Sequence, residues 1–235
     1  MTVLAQYSLF PKADPAEAVR WRRRLLLLLL IIVLAAVSLL VHALTPVAWN
    51  VASTRAIQSV NLPGLHELML RVSGFGNAPK VVFVTAIALL ACNQRAEAFW
   101  LSFSGLGGWL LGTRLKPLFA SQRPSADEVT VHHLWDSGSF PSGHVVFYVC
   151  FFGFVFFLAR ERMTQPSMLL RGVMLVAAAL IGLVGISRVF LGEHWLTDLP
   201  GSYLLGLLWL TLSVQLYRAW SARTHDQPPL PQSTV

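Results

Sequence analysis

Three short blocks of this chain concentrate residues able to handle a phosphate group. The first runs from Lys116 to Arg123-Pro124, the second is Pro141-Ser142-Gly143-His144, and the third runs from Ser187-Arg188 through His194 to Asp198. Lys116, Arg123 and Arg188 are cations with few carboxylates beside them in sequence. Arginine presents a planar fork of donors that fits phosphate oxygens, and lysine adds a compact charge. Brought together, they would repel one another unless a multiply charged anion joined them. Ser142 and Gly143 sit where an apolar helix begins, so their backbone N–H groups are free and the helix dipole favours an anion. His194 and Asp198 are four residues apart and share a face on a helical turn. A carboxylate on one ring nitrogen fixes the histidine tautomer and leaves the other nitrogen free to attack. His144 supplies a second ring, able to protonate a leaving oxygen.

Each residue also has an ordinary reading. Basic residues near span ends anchor helices at the membrane surface. Pro-Ser-Gly is a common turn, and Asp198 could be only a helix cap. The phosphate reading rests on their joint occurrence on one side of the membrane, in a topology obtained without them.

That topology comes from composition. The 235 residues are 55% hydrophobic and 12% charged, about half the charge expected of a soluble domain. Apolar runs predict six membrane-spanning helices, near 25–44, 77–92, 98–112, 143–158, 169–187 and 199–217, an all-α integral membrane bundle. The first is too long for a signal peptide and lacks a clear cleavage site. With the N-terminus in the cytoplasm, 11 of the 18 basic residues lie on the cytoplasmic side, as the positive-inside tendency requires. The same bias accounts for the net charge of +7 and removes the reason to expect a nucleic-acid partner. The expected organisation is a cytoplasmic segment at 1–24, one six-span domain at 25–218, and an irregular cytoplasmic tail at 219–235.

Asn61 to Ser73 carries Leu65, Leu68, Met69 and Val72 at helical spacing, with Asn61 as its cap and Pro63 near its start. It reads as a short amphipathic interfacial helix, or equally as a loop helix packed on the bundle. Cys92 and Cys150 lie in apolar runs and read as packing residues. His132 and His133, with His144 and His194, suggest a metal cluster only superficially, because adjacent histidines aim poorly at one ion and three cations oppose it. No metal and no cofactor are expected. Asp127, Glu128 and Asp136 read as solvated loop charge. Trp135, Phe140 and Trp195 would brace a headgroup or anchor helix ends, and Glu193 would tune its neighbour or face water.

The three blocks resemble those of the type 2 phosphatidic acid phosphatase family, which shares its site with the vanadium haloperoxidases. The family pattern is Lys, six residues, Arg-Pro; Pro-Ser-Gly-His; and Ser-Arg, five residues, His, three residues, Asp. Every position and every spacing within a block matches here. The resemblance implies a helical bundle in the cell (inner) membrane with the site on the extracytoplasmic face. It implies His194 as nucleophile through a phosphohistidine, Asp198 as its orienting partner, His144 as general acid, and phosphate contacts from Lys116, Arg123, Ser142, Gly143 and Arg188. The expected substrate is a lipid phosphate or diphosphate, foremost undecaprenyl diphosphate or phosphatidylglycerol phosphate, then phosphatidic acid, with membrane lipids as surroundings and no obligate protein partner. Transfer of the phosphoryl group to a lipid or sugar hydroxyl, and a non-catalytic anionic-lipid binder or transporter, remain open alternatives at this level. A haloperoxidase would have no need of the apolar spans.

Overall fold

The structure, a computed structural model, describes residues 15–44 and 47–225. Residues 1–14 and 226–235, parts of the expected N-terminal segment and tail, lie outside the described residues. Eight helices follow one another among the described residues: α1 Pro15–Leu44, α2 Val47–Gln58, α3 Leu65–Gly74, α4 Ala78–Ala91, α5 Arg95–Phe119, α6 Gly143–Glu161, α7 Met168–Phe190 and α8 Asp198–His225. The all-helical expectation holds. Residues 219–225, read from sequence as the start of an irregular tail, continue α8 instead.

By length and composition, α6, α7 and α8 are each able to cross a membrane. A fourth crossing arises if α3 and α4, bent by 66° at a short break, count as one span. α4 alone has 14 residues, about 21 Å at 1.5 Å per residue, short of a ~30 Å hydrocarbon core. α5 is long enough at 25 residues but carries Arg95, Glu97, Arg114 and Lys116 and several Gly and Ser residues, which dilute its hydropathy. Among the described residues, length and composition therefore support a multi-pass membrane protein with three or four of the six expected crossings.

α3 is packed on the bundle, one of the two readings its sequence left equally open. It starts at Leu65, after Gly64 in the left-handed region (φ 78°), and no side chain caps it, so Asn61 is not its cap. It packs against α7 with Met69, Val72 and Ser73 buried. α2 was not foreseen at all. Its buried residues are polar, Asn50 and Thr54, so no apolar periodicity announced it. Arg55 donates to the Glu128 carbonyl at 2.7 Å, and Gln58 donates to the carbonyls of Thr130 (2.7 Å) and Phe190 (3.0 Å). α2 thus clamps the loop that follows α5 to the end of α7.

α6 is the hub, packed against α5, α7 and α8. Val145, Val146, Phe147 and Tyr148 are each 0% exposed, so one complete turn is surrounded, as an all-round apolar helix must be. Small residues permit the close approach. An added methyl at Gly206 of α8 would lie 2.7 Å from Val149 Cβ, and one at Gly153 of α6 would lie 2.5 Å from Leu210. Polar cross-links add to the packing: Ser104 Oγ donates to the Cys150 carbonyl (2.8 Å), and Trp209 Nε1 donates to the Ser104 carbonyl (3.1 Å). Cys150 is buried with a free thiol, in keeping with a packing role, whereas Cys92 is exposed. At the end of the bundle away from His194, Arg162 pairs with Glu97 and Arg218 with Glu161. Trp100, Phe154, Phe157, Tyr217 and Trp220 cluster there.

Replacing Gly206 by Val will force α6 and α8 apart. The expected loss is about 1–3 kcal/mol of stability, read as a melting temperature several degrees lower in detergent. An unchanged melting temperature would show that this contact does not limit packing.

Candidate active site

The loops at one end of the bundle enclose a cavity of about 660 Å³. Its walls include Lys116, Arg123, Gly143, His144, Arg188 and His194, which the sequence drew from three separate blocks. Asp198 stands behind His194 and does not itself line the cavity. Ser142, expected to contact phosphate, lies at the start of the same helix beside the lining residues Gly143 and His144. Its N–H donates to Ser202 Oγ at 2.8 Å, and its own hydroxyl accepts from Val145 N as the cap of α6. The free N–H groups at the α6 start are those of Gly143 and His144, directed by the helix geometry toward its N-terminal side.

His194 is 1% exposed. Its Nδ1 lies 3.3 Å from Asp198 Oδ2. A carboxylate only accepts, so Nδ1 carries the ring hydrogen and the Nε2 lone pair is left for the cavity. Nε2 lies 3.4 Å from Arg123 Nη1. The Asp198 carboxylate is held in turn by Ser139 Oγ (2.5 Å) and Trp195 N (3.0 Å). Burial, followed by the positive charges of Arg123, Lys116, Arg188 and His144, holds the His194 pKa well below the usual histidine range. The ring is therefore neutral near pH 7, the state in which it can attack.

Lys116 and Arg188 are buried, Arg123 is half-buried, and each is tied in place. Lys116 Nζ donates to the Gly138 carbonyl (2.7 Å). Arg123 Nε donates to the Ser137 carbonyl (2.7 Å) and Nη1 to the Glu193 carbonyl (2.5 Å), with the guanidinium 5.8 Å from the Trp135 ring centre. Burial lowers the Arg123 pKa to about 10, opposed by Asp198, so it remains charged at neutral pH. Arg188, 2% exposed, donates Nη1 to Ser73 Oγ and Nη2 to Glu193 Oε2. Its Nε is a buried donor without a protein partner. An unpaired buried N–H of a cation is costly, and an anion's oxygen would satisfy it.

Several contributors escaped sequence reasoning. Ser73 meets Arg188 from 115 residues away. Ser139 holds Asp198, and Ser202 bridges the Asp198 carbonyl (2.6 Å) to the Ser142 N–H. Gly76, at the break between α3 and α4, touches the His144 ring so closely that any side chain would overlap it. No local pattern marks these positions, because their function exists only across helices. Glu193, left open from sequence, is buried and paired. Phe140 packs edge-on against Phe119 (4.8 Å), and Trp195 donates to the Gln122 carbonyl (3.0 Å), so both serve packing instead of headgroup or interface contacts. Trp135 does border the cavity. His132 and His133 also border it, and no group of three metal-ligating side chains occurs among the described residues. Glu128 is not simply solvated, since it accepts from Ser125 N and Oγ.

Two tests follow from the geometry. Gly76→Ala will displace His144 and lower turnover about tenfold or more, since a misplacement near 1 Å costs up to ~10²-fold; unchanged kcat in folded protein would detach His144 from this contact. The neutral form of His194 is the reactive one, so activity falls as pH drops through its pKa. Because that pKa is lowered, the acid limb of kcat/KM will lie below pH ~6.5, after correction for a phosphate substrate's own ionisation near ~6. An acid limb above the usual histidine range would contradict the assigned environment.

The PAP2 superfamily pattern matches residues 81–222. Phosphatidylglycerophosphatase B of Bacillus subtilis (strain 168) is 29% identical over 172 residues, 72% of this chain and 83% of that protein. The crystal structure of a transmembrane PAP2-type phosphatidylglycerolphosphate phosphatase from Bacillus subtilis superposes with a TM-score of 0.70 at 23% identity, covering 82% of this chain and 96% of that one. Aquifex aeolicus LpxE gives a TM-score of 0.54 at 20% identity, covering 70% and 93%. The matched segment contains all three motif blocks and more than half of the chain, and the chain belongs to the PAP2 superfamily of type 2 phosphatidic acid phosphatases.

Proposed function

We propose that the protein is an integral membrane lipid phosphatase that works through a phosphohistidine without a metal. The observation that carries this reading is the neutral His194 Nε2 facing a cavity shared with Lys116, Arg123 and Arg188 and with the start of α6. In the first step Nε2 attacks phosphorus, an N–P bond forms and the bond to the lipid oxygen breaks. The lipid oxygen takes a proton from His144. Asp198 stabilises the imidazolium character that develops on His194. The cations and the Gly143 N–H oppose the charge on the equatorial oxygens, the main source of catalysis in phosphoryl transfer. In the second step His144 takes a proton from water, the oxygen attacks phosphorus and the N–P bond breaks, releasing phosphate.

A lipid substrate fits the shape of the cavity. Its wall continues from Lys116 along Thr113 and Trp109 of α5, opposite Asn77, Ala78 and Pro79 of α4. Trp109 lies seven residues deeper than Lys116, about 10 Å along the helix. A lipid whose phosphate sits at His194 can thus lay its proximal chain between α4 and α5. In this reading α1, α4, α5, α6, α7 and α8 cross the membrane, both termini are cytoplasmic and the site is extracytoplasmic, with α3 as the bent entry to α4. The name of the Bacillus relative puts phosphatidylglycerol phosphate first among substrates, ahead of undecaprenyl diphosphate and phosphatidic acid.

The test is phosphate release by detergent-solubilised protein from these three lipids in the presence of EDTA. Release is expected from phosphatidylglycerol phosphate. It should fall about 10³-fold or more in His194→Ala, with an unchanged melting temperature. Folded wild-type protein that releases no phosphate from any of the three would end the phosphatase reading.

A further inference from the structure

Glu193 immediately precedes His194, is 3% exposed and borders the cavity. Its Oε2 accepts from Arg188 Nη2 and from Trp135 Nε1 (2.5 Å). These donors belong to the cavity wall, where an anionic ligand would also seek them. A carboxylate and a phosphate make the same demand on a guanidinium, namely anionic oxygens along its fork. Glu193 occupies one hydrogen of Arg188 Nη2 and part of its charge, and two anions side by side among buried groups repel strongly.

We propose that Glu193 is a built-in competitor for the phosphate: it closes Arg188 and Trp135 when the site is empty, and it discriminates lipid phosphate from free phosphate. The proposal rests on reading the cavity as a phosphate site. Displacing the carboxylate requires only side-chain rotation, because the backbone there is fixed independently. The Glu193 N–H bonds the Arg188 carbonyl (3.0 Å), its carbonyl accepts from Arg123, and Gly192 (φ 66°) is packed on the Thr130 carbonyl. Arg188 retains its Ser73 contact through Nη1, so the guanidinium does not lose its position when Glu193 leaves. A lipid phosphate offsets the displacement with apolar contacts along α4 and α5. Inorganic phosphate has no such contacts and must compete with Glu193 on charge alone. Return of Glu193 to Arg188 then favours departure of the product.

The experiment measures binding of inorganic phosphate and of vanadate to the purified full chain in detergent, through the ligand-dependent rise in melting temperature, which needs no turnover. A site open about one-tenth of the time binds about tenfold more weakly than one that is always open. Glu193→Gln should therefore bind phosphate about tenfold more tightly than wild type. Asp136→Asn makes the same charge change on an exposed loop residue and should change binding less than about twofold. Unchanged or weaker binding in Glu193→Gln would mean that the carboxylate merely positions Arg188. An equal gain in Asp136→Asn would reduce the effect to general charge. Either result overturns the proposal.

A measurement on unmutated Glu193 guards against misfolding of that variant. In protein labelled with 15N-tryptophan, the Trp135 indole resonance, identified by its loss in Trp135→Phe, should move when vanadate saturates the site. An unmoved resonance overturns displacement. Wild-type protein that binds phosphate yet hydrolyses no lipid phosphate would defeat the enzymatic reading and leave this one standing.

Discussion

Positive charge gathered out of water dominates this structure. Lys116, Arg123 and Arg188 border one cavity, and two of them, Lys116 and Arg188, are almost wholly buried. A buried cation is stable only when its donors are satisfied and its charge is offset. The protein offsets part of that charge with two carboxylates, Glu193 on Arg188 and Asp198 behind His194. Backbone carbonyls of Gly138, Ser137 and Glu193 accept from Lys116 and Arg123. The balance stays positive, and that residual charge does two things. It suits the cavity to a multiply charged anion, and it adds to burial, the larger cause, in holding the His194 pKa below the usual histidine range.

Holding that charge still falls to the helices. α6 is enclosed by α5, α7 and α8, so its N-terminus, with Gly143 and His144, cannot move independently of the bundle. α5 brings Lys116 from one side and α7 brings Arg188 from the other. The start of α8 supplies Asp198, which the Trp195 N–H and Ser139 hydroxyl fix in turn. Small residues at the α6 contacts matter for this reason: helix separation sets the distances between groups on different helices. A precise site in a membrane bundle is a consequence of close packing.

A second layer links the site to parts of the chain without catalytic residues. Tyr148, in the middle of the buried turn of α6, donates its hydroxyl to the Val72 carbonyl of α3. Ser73, the next residue, accepts from Arg188. Gly76 then lets the chain pass against His144. The bend between α3 and α4 is therefore coupled to a cation and to a histidine of the site. α2 acts similarly on the other flank, through Arg55 and Gln58 bonded to the loop at 128–130.

The sequence by itself determined the family and the class of fold, and it named the residues that line the candidate site. The spacings Lys116 to Arg123, Ser142 to His144 and His194 to Asp198 are short enough for local geometry to fix which groups share a helix end or face. Apolar runs marked α6, α7 and α8 because a helix that faces lipid or is enclosed by other helices must be apolar along its length. Tertiary structure decided what those local rules do not reach. Ser142 spends its N–H on Ser202, because α8 crosses the start of α6 there. Ser73, Ser139 and Gly76 gained roles only through neighbours distant in sequence. α2 stayed hidden because it buries polar residues, and the packing of α3 on α7 was one of two readings that its amphipathic pattern alone could not separate. Glu193 shows the division most clearly: its place beside His194 was legible in the chain, but only the approach of Arg188 and Trp135 from other elements made its carboxylate a partner of the site.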